Sequence, residues 1–175
     1  RWPILAMTCV LVVSNIAVMY AINDWLTWGA FTYPLVFLVT DLTNRTLGAA
    51  AARKVALVGF ALAVVLSVYL ATPQIALASG AAFLTAQMLD ITAFNRLRTL
   101  SWWKAPLIGS LLASVIDTGI FFYIAFYGSD MNWLTLAAGD LAMKCLMAVI
   151  LLLPYKALLP RFAAVPDDTT ARPTT

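Results

Sequence analysis

Asp41, Asp90, Asp117 and Asp140 each lie inside a hydrophobic stretch of this 175-residue chain, which contains no glutamate and no histidine. Every oxygen of an ionised carboxylate is an acceptor, so such a group among apolar side chains calls for a cation, a donor-bearing ligand or a proton. At the centre of a membrane helix a carboxylate costs at least ~2.5–3.5 kcal/mol on insertion scales, and such groups usually face a cavity that carries a substrate or an ion. Four of them in a short apolar chain point to a polar site inside a membrane-embedded bundle.

Their neighbours differ. Asp41 and Arg45 are four residues apart, as are Asp140 and Lys144. That spacing places each pair on one helical face, where the charges can neutralise each other or line a cavity and open to a substrate. Asp117 has no other charge within 106–127 and only Ser114 and Thr118 as local polar groups, so it must find its partner on another helix, in water or in a ligand. Gln87 and Asp90 are three apart and share a face; an amide beside a carboxylate presents mixed donors and acceptors to a planar polar ligand. Asn15 is a weaker candidate, since an asparagine in a membrane helix often joins two helices.

The elements that position these groups follow from hydropathy. Hydrophobic residues make up 63% and charged residues 11%, far below the ~25% charged content of a soluble domain. Apolar runs cover 3–22, 31–40, 55–71, 75–94, 106–127 and 133–153. A span needs ~20 residues. Five runs satisfy this, and the second does so if extended through 41–47. The expectation is an all-α polytopic membrane protein: a six-helix transmembrane bundle in one domain over 1–159, with a flexible cytoplasmic tail over 160–175. The first run reads as a retained helix, being too long and lacking a small-residue cleavage site for a signal peptide. Arg1, the Arg53–Lys54 pair, Arg96, Arg98, Lys104, Lys156 and Arg161 all fall on one side of six crossings, which puts both termini in the cytoplasm. Trp25, Trp28, Trp102, Trp103 and Trp133 fall at the expected interfaces.

Several functions are excluded or disfavoured. There is no glycine-rich phosphate loop, hence no nucleotide-hydrolysing motor. Without histidine there is no Ser-His or Cys-His catalytic pair. Cys9 and Cys145 lie in apolar helices and read as packing residues, and scattered aspartates make no metal-ligand set. The basic pI near 9.0 reflects loop topology, with no nucleic-acid patch. A faint internal echo relates Asp41-Leu-Thr-Asn-Arg45 to Asp90-Ile-Thr with Asn95-Arg96. The two segments run in the same direction across the membrane, so the echo does not mark an inverted repeat of the transporter kind.

Further along, whole stretches resemble a known family. Thr27-Trp28-Gly29-Ala30-Phe31-Thr32-Tyr33-Pro34, then Phe37, Thr40-Asp41-Leu42-Thr43, Arg45, Gly48 and Ala52-Arg53, resemble the signature of the queuosine-precursor transporters, the VUT family. Gln87-Met-Leu-Asp90, Phe94-Asn95-Arg96-Leu97-Arg98, Trp102-Trp103, Ala105-Pro106, Ser114, Asp117-Thr118, Ala125-Phe126, Asp140, Lys144 and Leu153-Pro154 extend the resemblance over roughly 25–160. It implies a multi-pass importer in the bacterial inner membrane, without cofactor, taking 7-cyano-7-deazaguanine and its aminomethyl relative for tRNA queuosine salvage.

The residues suit such a substrate. N1–H and the exocyclic amine of a deazaguanine form a donor edge that a carboxylate can accept in a bidentate way. Asp117 or Asp90 is expected to read that edge. Gln87, Asn95, Arg45 or Lys144 could donate to the carbonyl and nitrile, Asp41 and Asp140 would line and gate the cavity with their basic neighbours, and Thr118 adds a hydroxyl. Transport would be facilitated diffusion or secondary coupling, with a buried carboxylate able to carry a proton. The rival readings are a substrate-binding subunit of a larger energised transporter and an intramembrane enzyme using paired aspartates. A thin six-helix bundle also suits a homodimer.

Overall fold

The computed structural model describes residues 1–17, 20–23, 26–70, 72–130 and 132–162. The tail from 163 onward, Asp24, Trp25 and the side chain of Asn15 lie outside the described residues. Helix α1 covers Trp2–Ala17, and a minimal antiparallel hairpin follows, with β1 at Ala21–Asn23 and β2 at Leu26–Thr27. The remaining helices are α2 (Gly29–Thr32), α3 (Leu35–Leu47), α4 (Ala49–Leu70), α5 (Pro73–Leu97), α6 (Lys104–Ala125), α7 (Trp133–Ile150) and α8 (Leu152–Leu158), closed by a 3₁₀ turn at Leu159–Arg161.

Local chemistry sets these limits. Pro34 has no N–H and crowds the carbonyl four residues back, so the run from 29 to 47 breaks into α2 and α3. Pro154 acts in the same way on the carbonyl of Ile150, where α7 ends. Thr72 caps α5, its hydroxyl accepting from the Ile75 N–H at 3.4 Å, with Pro73 in the first turn. Gly48 ends α3 at φ 85° and ψ 168°, a backbone region open essentially to glycine alone. The alanines at 49–52 then start α4 six residues earlier than the apolar run suggests. Arg53 and Lys54 therefore sit exposed in the opening turns of α4 rather than in a loop.

Four segments are long and apolar enough to cross a membrane: Ala49–Tyr69, Pro73–Leu97, Lys104–Ala125 and Trp133–Arg161. Helix α1 has 16 residues and α3 has 13. At 1.5 Å per residue these are roughly 24 and 20 Å long, short of a ~30 Å hydrocarbon core. The first two expected spans are thus shorter and more broken than the hydropathy runs imply.

Helix α5 is the axis of the bundle, and small residues let its neighbours approach. Ala52, Ala56 and Ile91 pack α4 on α5, while Phe37, Ala86 and Ala113 join α3, α5 and α6. Such contacts suit a medium where lipid is as apolar as leucine and close backbone approach supplies the attraction. Leu57, Val65, Val68, Leu112, Val115 and Leu146 point outward, as lipid-facing positions should.

One end of the bundle gathers the basic helix termini. Leu42, Phe94, Ala105 and Tyr155 form a buried cluster there, with Trp2, Leu97, Trp102 and Leu158 packed against it. Lys156 lies 5.1 Å from the ring centre of Trp102, and Trp2 stacks on Phe162 at 5.1 Å. At the opposite end, Gln74 at the start of α5 donates to the carbonyl of Ile124 at the end of α6. Successive long helices therefore run in alternating directions.

Candidate functional site

The four membrane aspartates fall into two pairs. The first centres on Lys144 of α7. Its ammonium donates to Asp117 Oδ2 at 2.7 Å, to Asp140 Oδ2 at 2.5 Å and to Thr118 Oγ1 at 3.2 Å. Those three acceptors use all three ammonium protons. The Thr118 hydroxyl in turn donates to Asp140 Oδ2 at 2.7 Å. Two carboxylates share one cation, so with both ionised the cluster carries one net negative charge.

This cluster borders the large cavity of the bundle, of about 420 Å³. That is within the ~300–1,000 Å³ range of small-molecule sites. Tyr33, Phe83, Phe121, Phe122 and Phe126 give it aromatic walls, and Ser14, Ser67 and Ser79 add hydroxyls. Phe122 stacks on Phe126 at 5.7 Å, and Phe121 meets Phe122 edge-on at 5.2 Å. The lining comes from α2 and the Pro34 joint, the later halves of α1, α4 and α6, the early half of α5 and the early and middle turns of α7. The cavity therefore occupies the half of the bundle away from the basic ends. A flat, apolar-faced molecule with a donor edge matches these walls and that surplus acceptor charge.

The second pair is Asp41 of α3 and Asp90 of α5, whose carboxyl groups lie within hydrogen-bonding reach of each other. Both are buried, at 3% and 0% exposure. Among the described residues neither forms an ion pair, and Asp41 Oδ1 and both Asp90 oxygens lack a hydrogen-bond donor. Asp41 does not pair with Arg45 despite the favourable spacing. Arg45 Nη1 instead donates to the carbonyl of Arg98 at 3.0 Å, while Arg98 Nη2 donates to the carbonyls of Asn44 and Arg45. This reciprocal exchange fastens α3 to the end of α5 and draws Arg45 away from Asp41.

Helices α3 and α5 run parallel here. The Thr40 hydroxyl donates to Gln87 Oε1 at 2.6 Å, and Asn44 Nδ2 donates to the Ile91 carbonyl at 3.0 Å. The two segments that echo each other in sequence are thus neighbours, each contributing one carboxylate to the contact. Gln87 and Asp90 do share a face, but that face is spent on α3. Neither lines the large cavity. Asn95 accepts from Arg98 Nη1 at 3.2 Å and likewise lies apart from it.

A small chamber of about 20 Å³ lies on the Asp41 side, lined by Asp41, Ser110, Ser114, Lys144 and Tyr155 among others. Lys144 and Pro34 also line the large cavity, so they form a partition between the two spaces. Sequence reasoning did not single out Tyr155, Tyr33, Phe83 or Ser110 as site residues. Nothing in their local sequence separates them from packing residues.

Residues 27–72 and 67–158 match the family described as putative vitamin uptake transporters. The chain is 36% identical to a probable queuosine precursor transporter of Haemophilus influenzae, over 73% of this chain and 66% of that protein. It is 34% identical to a queuosine precursor transporter of Escherichia coli strain K12, over 76% of this chain and 72% of the relative. It thus spans about two thirds of the length of these curated relatives. No solved structure matches the chain. With four apolar helices of spanning length and a family match over most of its residues, this multi-pass membrane protein belongs to the putative vitamin uptake transporter family.

Proposed function

We propose that this chain imports 7-deazaguanine queuosine precursors, chiefly 7-cyano-7-deazaguanine, across the bacterial inner membrane. The observation that carries the reading is the net-negative Asp117–Lys144–Asp140 cluster at the wall of an aromatic-lined cavity of about 420 Å³. Asp117 is the better candidate than Asp90 for the edge-reading carboxylate, because it lines that cavity and Asp90 does not. Its carboxylate would accept from N1–H and the exocyclic amine, with the phenyl rings against the faces of the bicycle. Lys144 would offer its protons to the substrate carbonyl as its bonds to the two aspartates lengthen. The names of the two relatives support the substrate class.

The expected topology has six crossings, with α1 and the broken α2–α3 segment supplying the first two. Positive charge at the clustered ends puts those ends and both termini in the cytoplasm. The cavity then lies in the outer half of the bundle, where a substrate arriving from outside would bind first.

The test is precursor uptake by cells that cannot make 7-cyano-7-deazaguanine and lack their own importer, with queuosine in tRNA as the readout. Wild type should restore queuosine at nanomolar precursor, and Asp117→Asn should not. If wild type fails while present in the membrane, the substrate assignment is wrong or a partner subunit is required. Copurification with an ATPase would identify the latter.

A further inference from the structure

The Asp41–Asp90 contact remains outside the substrate cavity and unexplained by it. Two ionised carboxylates have four acceptor oxygens and no donor between them, so they repel at contact. A single proton held between them turns the repulsion into a hydrogen bond. The charged groups around the pair do not remove the need for it. On α3 and after α5, Arg45 donates to a backbone carbonyl, and Arg98 donates to two backbone carbonyls and to Asn95. From α7, Lys144 reaches the small chamber but donates to Asp117, Asp140 and Thr118. Helix α4 contributes Ala52 and Ala56 to its packing on α5. Helix α6 passes so close that a Cβ on Gly109 would lie 2.7 Å from Asp90 Oδ1.

An independent feature marks a path to the pair. Tyr155 of α8 is 1% exposed, its hydroxyl has no hydrogen-bond partner among the described residues, and it lines the same small chamber as Asp41. A space of about 20 Å³ holds roughly one water. Such a water would meet the Tyr155 hydroxyl, Asp41 and the hydroxyls of Ser110 and Ser114, with the Lys144 partition leading to the large cavity.

We propose that Asp41 and Asp90 form the proton-binding site that couples uptake to the proton gradient. Their carboxyls take one proton from the cavity side through the chamber water and release it toward the basic end in each cycle. An O–H bond forms on one carboxylate oxygen on loading and breaks on release, with no other reactant. The substrate part of this statement rests on the function proposed above; the proton site itself does not.

The test reconstitutes the chain in liposomes. For one proton per neutral substrate, an inward gradient of one pH unit should drive about tenfold accumulation of 7-cyano-7-deazaguanine. Asp41→Asn and Asp90→Asn should lose that accumulation yet still exchange labelled for unlabelled precursor without a gradient. Asp117→Asn should lose both. A sodium gradient driving wild type in place of protons overturns the proposal, as does undiminished accumulation by Asp90→Asn or loss of exchange in both inner variants. A second measurement needs no substrate. A hydrophobic carbodiimide, which attacks protonated buried carboxyls, should modify Asp41 or Asp90 and spare Asp117 and Asp140, read by peptide mass. Labelling of the outer pair with none at the inner pair overturns the proton site whatever the substrate proves to be.

Discussion

Asp117 and Asp140 share a lysine and border a cavity of about 420 Å³, whereas Asp41 and Asp90 face each other, with no ion pair among the described residues, beside a space of about 20 Å³. The same side chain is held in two ways within one bundle. In the half away from the basic ends, two carboxylates share one lysine at a space large enough for a small molecule. In the half nearer the basic ends, packing by Gly109 and two fastened helices leaves room for little more than a water. What separates the two regions is where the neighbouring cations spend their donors. Lys144 spends its donors on the oxygens of Asp117, Asp140 and Thr118, while Arg45 and Arg98 donate to backbone carbonyls and to Asn95.

The contrast can be broken most sharply at Lys144. Lys144→Met leaves Asp117 and Asp140 together without their cation. Removing one partner of a buried ion pair costs ~3–5 kcal/mol, so melting in detergent should fall well below wild type and uptake should be lost. Adding Asp117→Asn should recover most of the melting temperature and none of the uptake. Asp90→Asn breaks no ion pair and should leave melting near wild type. A drop as large as that of Lys144→Met would erase the distinction between the two regions.

A smaller effect is expected at Gly109. Its methyl would intrude on the Asp90 carboxyl at 2.7 Å, whereas a Cβ on Gly119 of the same helix meets nothing within 4 Å. Overpacking of this kind costs ~1–3 kcal/mol. Gly109→Ala should therefore lower both melting and gradient-driven uptake, while Gly119→Ala should melt at or slightly above wild type. Equal effects of the two would mean that α6 does not press on Asp90.

In the large cavity, Phe121→Leu keeps an apolar wall and removes a stacking face. Base–aromatic stacking is worth ~1–3 kcal/mol, so the KM for precursor should rise by roughly tenfold with little change in maximal rate. The smallest change should come from Thr40→Val, which removes the bond to Gln87. A single neutral hydrogen bond contributes ~1 kcal/mol. A modest fall in melting with uptake intact would place Thr40 in the helix contact alone.

The membrane character and the four aspartates are plain in the sequence, because a buried charge stands out against an apolar background. The Asp140–Lys144 pair is legible too, being local to one helix. Asp41–Arg45 has the same spacing and does not form, since Arg45 finds the carbonyl of Arg98 across the bundle. Spacing shows which groups share a face, and a tertiary partner decides which of them meet. That Asp117 needs a partner from another helix follows from its empty surroundings, but the identity of Lys144 does not. The echo between the Asp41 and Asp90 segments acquires a meaning only when α3 and α5 are seen side by side. Helix limits departed from the hydropathy runs where proline or alanine outweighed the apolar pattern, at Pro34 and at the start of α4.

Gly48 joins α3 to α4 with a single residue. Such a joint has no slack, so the two helices act as the arms of a bent lever with its fulcrum at Gly48. Asp41 lies on the short arm, and Ser67, at the wall of the large cavity, lies 18 residues along the long one, from Ala49 (67 − 49). At 1.5 Å per residue that arm is about 27 Å, so a swing of about 10° at the fulcrum would sweep Ser67 through about 5 Å. The same swing moves Asp41, about 10 Å from the fulcrum, by only about 2 Å, so breaking its contact with Asp90 would be matched at the cavity wall by a change in width greater than the thickness of an aromatic ring.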